Sequence, residues 1–224
     1  MLHKTKGVVL GFIKYGDTSI ITKIYTEAFG LQTYIVNGVR SKTSKNKIAL
    51  FQPLTLLDMV VYHIENKDIN RISQVKCNTP FHSIPFEQKK ISMVIFMAEL
   101  LGKTLKEQHP NQELFDLVFH SVSYLDEVEE HYENMHLQFM IQLASFLGFS
   151  PGSTEDILEE IRISLTAEET IVLKSLLVTS LENPIRISNT IRQKLLDCLV
   201  RYFAIHSENF GTLNSLSILH EVFG

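Results

Sequence analysis

In the stretch NGVRSKTSKNKIAL, residues 37–50, Arg40, Lys42, Lys45 and Lys47 set four positive charges within eight residues, with no acid among them. A cation cluster interleaved with Ser, Thr and Asn suits a loop that follows a phosphate backbone, because each neutralised phosphate releases condensed counterions. Lys14, Lys23, Arg71 and Lys76 add charge within the first 80 residues, and Tyr15, Tyr25, Phe29, Tyr34 and Phe51 lie among them. Cationic grooves carrying aromatic faces hold single-stranded nucleic acid. The candidate DNA-binding set is therefore Lys14, Lys23, Arg40, Lys42, Lys45, Lys47, Arg71 and Lys76, with Tyr15 and Tyr34 as stacking rings. A barrel core of aromatics under a solvated lysine face would give the same composition. A basic barrel that docks an acidic peptide is the alternative binding function.

A second basic island spans residues 186–201, where Arg186, Arg192, Lys194 and Arg201 oppose only Asp197. It lies in an acidic field, since residues 81–224 carry 10 Lys or Arg against 20 Asp or Glu. Such a field repels phosphate, so the island suits a short acidic peptide anchored by Ile191, Leu195 or Leu199. Cations that complement helix ends and neighbouring acids are the structural alternative.

Other chemistry lacks a signature. None of the nine histidines stands in HxxxH or HExxH spacing, CxxC is absent, and His131 and His136 are five apart, off a common helical face. There is no GxSxG, Walker loop or GxGxxG. Asp58 and His63, five apart on one predicted strand, point to opposite faces. Neither an enzyme nor a metal or cofactor site is expected. Cys77 and Cys198 stand apart without a partner motif, as in a reduced protein. The opening MLHKTKGVVLGF has no signal-peptide pattern, and the uncharged stretch 134–154 is broken by Asn134, His136, Gln138, Gln142 and Ser145. A cytoplasmic location is expected.

These residues need elements to carry them, and the chain changes character near Pro80. Residues 1–80 hold 11 Lys or Arg against 5 Asp or Glu, and their apolar pattern has period two. Strands are predicted at 7–15, 18–26, 31–39, 54–63 and 70–77, with Gly16-Asp17 as a hairpin turn and Asn37-Gly38 as a bend. Five short antiparallel strands in under 80 residues fit a small barrel that hides its edges, OB-like first and SH3-like second. After residue 80 the period is that of helices. Helices are predicted at 87–106, after Pro110-Asn111 with a stripe from Leu114 to Leu125, at 133–147, after the Thr166/Glu169 capping box, and after Ser188. The expected fold is α+β in two domains: an OB-fold at 1–80 and an all-α bundle at 81–224.

The segment TKGVVLGFIKYGDTSIITKIYTEAFGLQTYIVNGVRSKTSK, followed by FQPLTLLDMVVYH, closely resembles the amino-terminal region of the RecO family, particularly its Bacteroidetes-like members. The resemblance continues through PFHSIPFEQKKISMVIFMAELLGKTLKEQHPNQELFDLV and HLQFMIQLASFLGFSP, covering at least residues 4–151. It implies an amino-terminal OB-fold, a helical carboxy-terminal domain, binding of single- and double-stranded DNA, and annealing of complementary strands. It further implies work with RecR and single-stranded-DNA-binding protein, whose acidic tail would meet the 186–201 island, to load RecA. Many members carry a four-cysteine zinc site where this chain has SPGSTEDILEEIRISLTAEE, so no structural zinc is implied.

Overall fold

The computed structural model describes residues 1–41, 47–65, 67–106 and 108–223. Two compact units are present, Met1–His82 with Met97–Val122, and Ser83–Phe96 with Ser123–Gly224.

In the first unit β1 (Leu2–Tyr15), β2 (Ser19–Thr26), β3 (Gly30–Val36), β4 (Leu56–Tyr62) and β5 (Asn70–Cys77) close in the order β1-β2-β3-β5-β4. This is an OB-fold barrel. Its interior is Val9, Ile20, Ile24, Tyr34, Val39, Phe51, Leu57, Met59 and Val61. Gly7 lets the strands approach there, since a Cβ would stand 2.5 Å from Met59 Cε and 2.6 Å from Ile24 Cγ2.

Three features differ from the strand pattern in the sequence. The barrel closes through a short parallel pairing, Tyr34 with Asn70 and Ile35 with Arg71, so the strands are not all antiparallel. β1 begins five residues early, because Leu2 to Val8 are held by the ladder to β4 although polar Lys4, Thr5 and Lys6 give them no apolar alternation. β3 stops at Val36, after which Gly38 turns at φ 72° and Val39 drops into the core. β1 itself serves two sides of the barrel, pairing with β4 from Leu2 to Val8 and with β2 from Gly7 to Tyr15, with a bulge between Val9 and Gly11.

The helices are α1 (Gln88–Thr104), α2 (Gln112–Glu127), α3 (Met135–Phe146), α4 (Thr154–Ile161), α5 (Ala167–Val178), α6 (Asn189–His206) and α7 (Ser215–Phe223). Ser153 with Asp156 and Thr166 with Glu169 form reciprocal capping boxes on α4 and α5, and Ser188 accepts from Ile191 N at the start of α6. α3 buries nine of its twelve residues, which places it at the centre of the second unit. α4 and α7 carry no predicted counterpart: each is short, and only the Ser153/Asp156 spacing announces the first. Among the described residues no helix is long and apolar enough to cross a membrane.

Candidate nucleic-acid interface

The strongest local architecture surrounds the β1–β2 hairpin. Gly16 adopts φ 53° at the turn, a conformation that glycine holds without steric cost. Arg40 returns to this turn from the far end of β3. Its backbone N–H donates to Thr18 O at 3.0 Å, and its guanidinium donates to the carbonyl oxygens of Gly16 and, at 2.9 Å, Asp17. The cation thus clamps the hairpin to the chain that leads into the basic run. Lys14 and Tyr15 are exposed beside the turn, Tyr15 at 53%. Lys42 and Lys45 lie outside the described residues. Lys47 is exposed and opens a 3-10 turn, Lys47–Phe51, whose Ile48, Leu50 and Phe51 join the same core cluster as Ile20, Val36 and Val39. Lys14, Tyr15 and Arg40 therefore belong to one end of the barrel.

Tyr34 is not a stacking residue. It stands opposite Thr22 in the β2–β3 register, on the interior row, and is fully buried, so no base can reach its ring, and burial pushes its phenol well above the usual range. Tyr25 and Phe51 are also core, and Phe29 stacks on His63 with ring centroids 4.0 Å apart.

Lys23 stands elsewhere, on the outer face of β2 opposite Thr33. It borders a groove of about 330 Å³ with Ile13, Ile21, Thr33, Glu99 and Lys103.

Arg71 and Lys76 occupy a third place, the outer face of β5, and share it with two residues outside the sequence-derived set. Lys6 pairs across β4 Asp58 to Lys76, and Lys4 pairs across Val60 to Gln74. Tyr62, 48% exposed, lies between Leu2 and Arg71. Lys76 reaches Asp58 at 3.3 Å, and Asn78 donates to the other Asp58 oxygen at 2.8 Å. The Asn78 hydrogen bond, with the charges of Lys76 and Lys6, holds the Asp58 carboxyl below its ordinary pKa. Lys4 and Lys6 escaped sequence reading because only the register with β4 and β5 shows their neighbours.

In the helical unit the basic island divides. Arg186, Lys194 and Arg201 are exposed. Arg186 approaches His131 Nε2 at 3.3 Å beside a recess of about 250 Å³ that also touches Ile185 and Ile187. Arg192 is buried at 6% exposure and each of its three side-chain nitrogens donates to a group within the unit, so it is not placed to serve as a docking cation. Leu195 and Leu199, two of the proposed apolar anchors, are buried as well, and Ile191 is 9% exposed.

No group of three or more His, Cys, Asp or Glu among the described residues is arranged to hold a metal ion. The exposed faces described above carry cations, amides and a few rings. Residues 1–81 match the family described as Recombination protein O N terminal, and residues 86–216 match Recombination protein O C terminal. The chain is 34% identical to the DNA repair protein RecO of Flavobacterium psychrophilum over 238 residues, covering all of both chains. It is 32% identical over 241 residues to the DNA repair protein RecO of Bacteroides fragilis, again over the full length of both. The chain belongs to the RecO family of DNA repair proteins.

Proposed function

We propose that this protein binds single- and double-stranded DNA at the hairpin end of its barrel, promotes annealing of complementary strands, and helps load a recombinase onto DNA coated with single-stranded-DNA-binding protein. The observation that carries the reading is the Arg40 clamp, which ties the Lys14–Tyr15 hairpin to the chain entering the 40–47 basic run. Binding lowers the mutual repulsion of two phosphate backbones, so annealing needs no bond made or broken by the protein. The RecO family membership supports RecR and single-stranded-DNA-binding protein as partners, with RecA acting downstream. The acidic tail of single-stranded-DNA-binding protein is assigned to the exposed cations Arg186, Lys194 and Arg201.

A titration of fluorescent single-stranded DNA at several salt concentrations tests the reading. Replacing Lys14, Lys42, Lys45 and Lys47 with Ala flattens the log K against log salt slope by about 2 to 3 units, at about 0.7 for each phosphate contact. An unchanged slope in a folded variant removes the hairpin end from the binding site.

A further inference from the structure

We infer that the outer face of β1, β4 and β5 is a second track for single-stranded DNA, separate from the hairpin end. The inference rests on the DNA-binding reading above. The face is a shallow trough of about 530 Å³ whose lining includes Lys4, Lys6, Glu27, Asp58, Gln74 and Lys76. One bank is Lys4 and Lys6 on β1, and the other is Arg71 and Lys76 on β5. With β4 as the floor between them, the banks stand about 10 Å apart, twice the spacing of neighbouring strands. Lys4 and Lys6 follow each other at about 7 Å along β1, a step comparable to that between successive phosphates of an extended strand.

A purely structural salt-bridge ladder would give each cation a cross-strand acid. Here only the Lys6–Asp58–Lys76 row contains one, and Asp58 is already engaged by Lys76 and Asn78. Lys4 faces Val60 and Gln74, and Arg71 faces Tyr62. Neither is neutralised by a cross-strand carboxylate. Lys6 is steadied from the side, its Nζ 5.6 Å from the centroid of the Phe119 ring. Even counting Glu27, four cations meet two acids on this face. Tyr62 adds a ring that a base can stack on at one end of the trough.

This face is distant from the first. Lys6 and Lys14 are eight residues apart on β1, about 26 Å along the strand. One barrel then presents two backbone tracks, which is the arrangement that bringing two strands together requires.

The test uses the full-length protein and labelled single-stranded oligonucleotides. The Lys4→Gln, Lys6→Gln, Arg71→Gln triple variant flattens the salt slope by about 2 units and slows annealing of complementary oligonucleotides, additively with the hairpin-end substitutions. Arginine at positions 4 and 6 keeps the slope, which separates charge from damage to the fold. The chain has no tryptophan, so Tyr62→Trp supplies a single tryptophan, excited selectively over the tyrosines at long wavelength, and saturating oligonucleotide quenches it. If the triple variant keeps its slope while the hairpin-end variant loses it, the second track is overturned and the DNA-binding reading stands. If neither slope changes, both are overturned. Unchanged fluorescence of the Tyr62→Trp variant at saturation also overturns the track.

Discussion

The Nε of Arg192 donates to Oδ1 of Asn134 at 2.6 Å inside the helical unit. The same guanidinium donates to Asn189 Oδ1 at 2.7 Å and to Ile187 O at 3.2 Å, and its Cζ lies 5.4 Å from the Phe223 ring centroid. Burial lowers its pKa. Arg192 therefore fixes the approach to α6 and the start of α3 and is not part of a partner surface.

Arg192→Met follows directly. It leaves the Asn134 and Asn189 oxygens and the Ile187 carbonyl without a donor, at a cost of about 2 to 4 kcal/mol by urea unfolding. Lys194→Glu with Arg201→Glu, exposed on α6, keeps the parent midpoint and weakens an acidic tail peptide by calorimetry. A stable Arg192→Met variant with weakened peptide binding would reverse the two assignments.

Much of this placement was legible in the sequence, and the failures have physical causes. Asn70–Cys77 matched its predicted bounds because turn signals bracket it. Tyr34 was misplaced because β3, GLQTYIV, carries apolar residues on both faces, so alternation does not choose between them. Arg192 was legible in spacing alone, standing three, four and seven residues before Leu195, Leu196 and Leu199 on the buried stripe. The general preference of arginine for the surface pointed the other way. Lys4, Lys6 and Tyr62 required the β1–β4 register, in which their partners stand over fifty residues away.

Tyr34 offers a stability test inside the barrel. Its hydroxyl is buried with no hydrogen-bond partner among the described residues. Tyr34→Phe removes a desolvated polar group while keeping the ring, so stability stays level or rises by up to about 1 to 2 kcal/mol. DNA affinity and its salt slope stay unchanged. A loss of DNA binding without loss of stability would return Tyr34 to the binding surface.

His136 sets a pH dependence. It is fully buried on α3, with its ring 6.1 Å from Phe96 and 5.8 Å from Phe223, centroid to centroid. Burial, followed by the charges of Arg192 and His220, drives its pKa down to about 3. In the unfolded chain a histidine titrates near 6.5. The folded state therefore holds His136 neutral while the unfolded state takes up a proton, so its contribution is complete above about pH 6.5. It is lost at up to about 1.4 kcal/mol per pH unit as the pH falls toward the folded value. His63 is shifted in the same direction, by burial and by His3, and adds to the trend in the same window. Comparison with His136→Leu isolates the buried ring, because the carboxylates and His63 are common to both proteins. Between pH 7.5 and pH 5 the parent loses about 2 kcal/mol more than the variant in urea unfolding. Parallel stability curves over that range would mean that His136 reaches solvent or gains a partner for its proton in the folded state.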